Sequence, residues 1–137
     1  RFEFNLKTGK SKMEPYAPTK SVEFPVVNQY YLGRKTKYVY MSLDFEKLPD
    51  TQVGKDNIIH NGCIKVDTET REIVGEISFG ECKSGGEVCF QAREDAAGED
   101  DGYLMTFVHH WETDTSEFVM WDAKTMSSTP VLRAALK

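Results

Sequence analysis

Long apolar runs are missing from this chain of 137 residues: none approaches the eighteen or so uninterrupted apolar positions that a bilayer-spanning helix needs. Basic residues are in the minority, 17 Lys and Arg against 22 Asp and Glu, for a net charge of -5. This balance argues against a nucleic-acid partner, because phosphate binding needs a basic face that releases counterions. Cysteine is scarce, with Cys63, Cys82 and Cys89 in no C-x-x-C spacing. That odd count favours neither a disulfide framework nor a zinc site and predicts free thiols in a reducing, intracellular compartment. No basic-then-apolar leader opens the chain, but the chain starts at Arg1, inside an apparent strand, so this says little about location. What is present, 39% hydrophobic and 28% charged residues, suits one soluble globular domain.

One short pattern occurs three times: an apolar residue, Asn or Asp, any residue, Lys or Glu, then Thr. The copies are Phe4-Asn5-Leu6-Lys7-Thr8, Val66-Asp67-Thr68-Glu69-Thr70 and Trp121-Asp122-Ala123-Lys124-Thr125. Asn and Asp cap tight turns through side-chain bonds to nearby backbone N–H groups, and the flanking residues favour strands, so each copy predicts a hairpin. The interval, roughly sixty residues, is that of a β-propeller blade built from four short strands.

On that period the chain divides into two nearly complete blades. The first is predicted as Val22–Val27, Lys37–Leu43, Gly62–Val66 and Glu72–Ser78, from inner to outer strand; the second as Glu87–Gln91, Tyr103–His109, Glu117–Trp121 and Val131–Leu136. Residues 1 to 16 form the closing hairpin of a preceding blade, and the stretch from Asp44 to Asn61 is a long insertion. The expected fold class is therefore all-β, a partial propeller of about two blades plus the end of a third. Natural propellers close with roughly four to eight blades, so a larger parent protein is expected.

Glu23 and Glu87 occupy matching places in the repeat, each roughly twenty residues beyond a turn and at the innermost strand of its blade. Two acids facing one channel repel each other unless cations or donors compensate, which points to a metal or a ring of histidines nearby. Other candidates read more simply. His109 and His110 end a strand with side chains on opposite faces, so they cannot easily share a metal, and they are read as turn residues. His60, beside Asn61-Gly62, reads as loop chemistry. The acidic Glu99-Asp100-Asp101-Gly102 lacks the alternating spacing of a calcium loop and reads as a turn. Arg34, Lys35 and Lys37 read as a solvated basic turn. Lys83-Ser84 lacks the preceding glycine of a phosphate loop. The aromatic residues of the second and third strands are predicted to form the core between blades.

Taken in order, several segments resemble the C-terminal part of the carotenoid cleavage dioxygenase family. They are Glu23-Phe24-Pro25-Val26-Val27-Asn28, Gly33-Arg34-Lys35-Thr36 with Tyr38-Val39-Tyr40, Lys65-Val66-Asp67, Gly85-Gly86-Glu87, Glu99-Asp100-Asp101-Gly102-Tyr103, Phe107-Val108-His109 and Asp122-Ala123-Lys124-Thr125-Met126. The resemblance implies a seven-bladed propeller holding Fe(II) on four histidines, with glutamates that hydrogen-bond those imidazoles from outside. By motif match, Glu23 and Glu87 are two of these glutamates, and Phe24 is a candidate for the apolar wall of a substrate tunnel. No metal ligand is expected within the chain itself. In the family the last iron-ligating histidine lies in a Gly-Phe-His-Gly stretch, which residues 1–137 stop short of.

The implied activity is oxidative cleavage of a conjugated double bond in a carotenoid or apocarotenoid, with a hydrophobic polyene and dioxygen as partners. Any peripheral membrane association would rest on parts outside this chain. A plastid location follows by kinship for a plant or algal source, and a cytoplasmic one otherwise. Departures from the family pattern are Val88 and Ala92 where prolines are usual, and His110 where an acid is common. The alternative function is a non-catalytic propeller segment serving as a binding or interaction module. A downstream Gly-Phe-His-Gly stretch and three further channel-facing histidines would decide for the oxygenase.

Overall fold

The computed structural model describes residues 1–17, 19–44 and 59–136. Most of the insertion expected between Asp44 and Asn61 lies outside the described residues. The strands are β1 (Phe2–Phe4), β2 (Ser11–Met13), β3 (Val22–Val26), β4 (Tyr38–Asp44), β5 (His60–Asp67), β6 (Ile73–Ser78), β7 (Lys83–Gly85), β8 (Cys89–Ala92), β9 (Gly102–His110), β10 (Thr115–Asp122) and β11 (Leu132–Ala135). Among the described residues, one 3-10 turn at Gln29–Tyr31 interrupts an otherwise all-β fold.

Strands β3 to β6 form one antiparallel meander and β8 to β11 a second, each with the strand order of a propeller blade. The hairpin β1–β2 stands apart as a sheet of its own. All eight predicted strands form, with ends shifted by a residue or two from the sequence reading, and two of the shifts bear on the site. The inner strand of the second blade begins at Cys89 rather than Glu87, and β5 begins at His60, so His60 is a strand residue and not part of a loop. Strand β7 was not anticipated. It pairs with β5 through His60 and Gly85 and with β9 through Lys83 to Gly85, which stitches the two blades into one nine-stranded sheet.

All three copies of the repeat fold the same way. Asn5 Oδ1 accepts from the N–H groups of Lys7 and Thr8, Asp67 Oδ1 from those of Glu69 and Thr70, and Asp122 Oδ1 from the N–H and hydroxyl of Thr125. In each, the residue four positions on has positive φ and donates its N–H back to the acid's or amide's own carbonyl: Gly9 at φ 68, Arg71 at φ 67 and Met126 at φ 52. The side-chain cap takes up amides that a tight turn would otherwise leave unpaired. The N–H groups of Thr70 and then Glu69 hold the Asp67 carboxyl below the usual carboxylate range. For Asp122, burial pushes the value up, but hydrogen bonds from Thr125 and Arg93 outweigh it and leave it low.

The main core lies between the blades. Tyr40 of β4 stacks on Phe90 of β8 with ring centres 5.3 Å apart, and Trp121 of β10 stacks on Phe79 at 5.4 Å. Cys63, Ile77, Leu104, Val108 and Val119 fill the space around them. Because side chains alternate along a strand, β5 sends Cys63 into this core and Ile64 and Val66 into a second one, with Met41, Leu43 and Ala17, on the opposite face. Gly85 is required by this packing, since a Cβ there would sit 2.5 Å from the Phe79 ring. Blade one thus packs a core on each face and leaves Phe24 and Val74 exposed at its inner and outer strands. Blade two leaves Phe107 and Leu132 exposed.

The acidic turn at 99–101 does more than reverse the chain. The Glu99 carboxylate accepts the N–H groups of Lys37 at 2.8 Å and Tyr38 at 2.9 Å. Lys65, its side chain 4% exposed, donates to Asp100 at 2.7 Å, bonds the carbonyls of Ala123 and Lys124, and lies over the Tyr38 ring. Arg93 links Asp101 at 2.9 Å to Asp122 at 2.6 Å. Each of the three acids is therefore satisfied by protein donors, and the segment acts as a clamp between blades.

Candidate functional site

The site is built on the inner edges of the two blades. Among the described residues β3 pairs only with β4 and β8 only with β9, so each has its other edge unpaired by them at the inner side of its blade. Glu23 lies in β3 opposite Ser42. The strand then kinks: the register shifts between Glu23 and Val26, and Phe24 takes φ 52, a left-handed conformation that costs a non-glycine residue about 1–2 kcal/mol. Such kinks re-aim side chains at strand edges and are held only where the surroundings impose them. Phe24 is 42% exposed and meets the His60 ring edge-to-face, with ring centres 5.3 Å apart.

Glu87 sits two residues before β8, between Gly86, whose N–H donates to the Phe107 carbonyl at 3.3 Å, and the buried Val88. Both Glu23 and Glu87 are exposed. Neither has a hydrogen-bond or ion-pair partner among the described residues. Among the described residues nothing takes up their acceptor oxygens, in contrast to the acids of the turns. The described residues contain no group of three or more His, Cys, Asp or Glu side chains that could hold a metal ion. The donor set among the described residues therefore does not fit a metal centre, but two carboxylates without a partner among those residues do fit as acceptors for N–H groups supplied from elsewhere.

The remaining candidates have structural partners. His109 bonds Ser116 through Nδ1 at 3.0 Å, and His110 Nδ1 accepts from the Thr113 N–H, so both brace the β9–β10 turn. Burial pushes the Cys63 thiol up to about 12, which leaves it an inert core residue. A polar cavity of about 310 Å³ opens between the 3-10 turn that follows β3 and strand β8, lined by Asn28, Gln29, Tyr30, Phe90, Gln91 and Ala92. Sequence reasoning missed His60, which the structure places against Phe24 and Asp44. Its signal would have been the pairing of β4 with β5, which puts the two ends of the insertion side by side.

Among known proteins, the family model described as retinal pigment epithelial membrane protein, RPE65, matches residues 1–137. The carotenoid 9,10(9',10')-cleavage dioxygenase 1 of Arabidopsis thaliana is 34% identical, with 93% of this chain and 24% of that protein aligned. The 9-cis-epoxycarotenoid dioxygenase NCED6, chloroplastic, from the same plant is 33% identical over 94% of this chain and 20% of its own length. The crystal structure of cobalt-substituted Synechocystis apocarotenoid oxygenase superposes with a TM-score of 0.81 at 26% identity, covering 99% of this chain and 26% of that one. The chain spans about a quarter of the length of the curated relatives it matches. With a chimera of apocarotenoid oxygenase and RPE65 the TM-score is 0.82, and the two blades with their leading hairpin are part of such a seven-bladed propeller.

Proposed function

The chain belongs to the retinal pigment epithelial membrane protein (RPE65) family, and from that premise we propose that it is the C-terminal part of a non-haem iron(II) dioxygenase. The substrate is a carotenoid or apocarotenoid, and the reaction cleaves one conjugated double bond to two carbonyl products. The observation that carries this reading is the pair of carboxylates, Glu23 in the inner strand of the first blade and Glu87 just before that of the second, with no partner among the described residues. Relatives named as carotenoid cleavage dioxygenases supply the substrate class.

Bound iron(II) would supply the redox chemistry that joins dioxygen to the polyene. The histidines that hold it belong to parts of the protein outside these 137 residues. Each glutamate accepts the free ring N–H of one of those histidines, which fixes its tautomer, sets the ring's orientation and raises its basicity. Neutral imidazoles leave the metal its full charge, and carboxylates one shell out steady the rings without replacing them as ligands. Phe24 contributes an apolar surface beside Glu23 for the substrate. Residues 1–137 alone are inactive on this account. For a plant or algal source the location is the plastid, as in relatives whose names include chloroplastic.

The test is Glu87→Gln in the full-length protein. Gln keeps the shape but accepts far more weakly, so activity and metal affinity should fall about 10- to 100-fold. Unchanged activity at full metal occupancy would remove the glutamate's role.

A further inference from the structure

We propose that His60 is a positioning residue that holds the Phe24 corner of the inner strand, and with it the Glu23 carboxylate, while joining that corner to the approach of Glu87. The role of Glu23 in this inference rests on the function proposed above; the mechanical part stands on geometry alone.

His60 stands where β4 and β5 of the first blade meet the linking strand β7. Its backbone pairs with Asp44 of β4 and with Gly85 of β7, two residues before Glu87. Its side chain is 11% exposed, and its Nδ1–H donates to Asp44 Oδ1 at 2.7 Å. Asp44 is held in turn from the residue that precedes β3, since its Oδ2 accepts the Ser21 hydroxyl at 2.6 Å and its N–H donates to the Ser21 carbonyl at 3.0 Å. The imidazole is therefore clamped at one side, and its ring meets Phe24 at an interplanar angle of 81°. This edge-to-face arrangement is the favoured one for two rings.

What that contact restrains is a residue under strain. Phe24 at φ 52 has no glycine's freedom, and the register shift beside it leaves no ladder to hold the corner in place. Side chains alternate along a strand, so relaxation of Phe24 into an extended conformation would turn Glu23 away from its present face. Ser21, Asp44, His60 and Phe24 thus form a brace from the base of the blade to the inner edge. The histidine makes no contact with substrate or metal on this account; it acts through Phe24.

The experiment uses the full-length protein with His60→Gln, which keeps a donor for Asp44 and removes the ring. Hydrogen exchange is first read in the metal-free protein. Amides of residues 22–26 should exchange about tenfold faster through local opening, while those of 83–85 stay as in the wild type. Phe24→Ala combined with His60→Gln should add no further acceleration, because both substitutions remove one contact. Cobalt titration then reads the consequence for Glu23: affinity should fall about tenfold and the cobalt absorption bands should shift, with the melting temperature little changed. Unchanged exchange at 22–26, or equal acceleration at 22–26 and 83–85, would overturn the positioning role. If His60→Gln does not fold, Phe24→Leu, which keeps bulk and removes the ring contact, gives the same reading. A wild-type protein that binds no cobalt would instead sink the dioxygenase reading and leave the exchange result to decide the brace.

Discussion

The outer turns and the inner edges of these blades carry the same kind of residue and use it in opposite ways. At the outer turns, Asp67 and Asp122 have their oxygens filled by amides of their own loops and, for Asp122, by Arg93. At the inner edges, Glu23 and Glu87 are exposed, with no partner among the described residues. A carboxylate whose acceptors are taken by its own turn is committed to folding. One held open on an inner strand beside a strained corner is available to a group from elsewhere. The difference marks Asp67 and Asp122 as acids committed to their turns, and it leaves Glu23 and Glu87 open for the role proposed above.

The largest expected effect breaks a committed acid. Lys65→Met leaves Asp100 without its buried cation, and removal of one partner of such a pair typically costs about 3–5 kcal/mol. The partial exposure of Asp100, 17% for its side chain, puts the expectation at the low end, and denaturant unfolding of the full-length protein measures it. Next comes Glu87→Gln, with its 10- to 100-fold loss of activity and metal affinity, and here the comparison demands that the unfolding midpoint stay where it was. A matched loss of stability would make Glu87 another structural acid.

Asp122→Ala should do the reverse, lowering stability by about 1 kcal/mol through the lost turn bonds while leaving metal affinity alone. The smallest effect is in pH. The folded-state pKa values of Asp67 and Asp122 lie below the unfolded value of about 3.9, so their contribution is present above that pH and is lost as pH falls through the folded values. Asn5 shows that the same turn forms around a neutral side chain. Replacing Asp67 and Asp122 by Asn should therefore flatten the loss of stability below about pH 4 in an acid titration of the full-length protein.

The blades were legible in the sequence because their signals are local. Three Asx turns and the aromatic and β-branched runs of β4, β9 and β10 need only neighbouring residues to be read. Strand β7 was not legible, since Lys83-Ser84-Gly85 has no apolar alternation and is a strand only because β5 and β9 arrive on either side of it. The same holds for the acidic turn, whose partners Lys37, Lys65 and Arg93 lie on other strands, and for His60, whose partner Asp44 lies across an insertion. The repeat reads the two glutamates as a matched pair, whereas the structure places Glu23 inside β3 and Glu87 two residues before β8. The kink at Phe24 that orients Glu23 was not legible, because it follows from pairing with β4 and not from any local preference of Phe or Pro.

The most direct measurement of the central claim is a crystal structure of the full-length protein with cobalt bound. The account predicts Glu23 and Glu87 each within hydrogen-bonding distance of the ring N–H of a different metal-binding histidine. Either carboxylate turned to bulk solvent, with the metal held elsewhere, would contradict it.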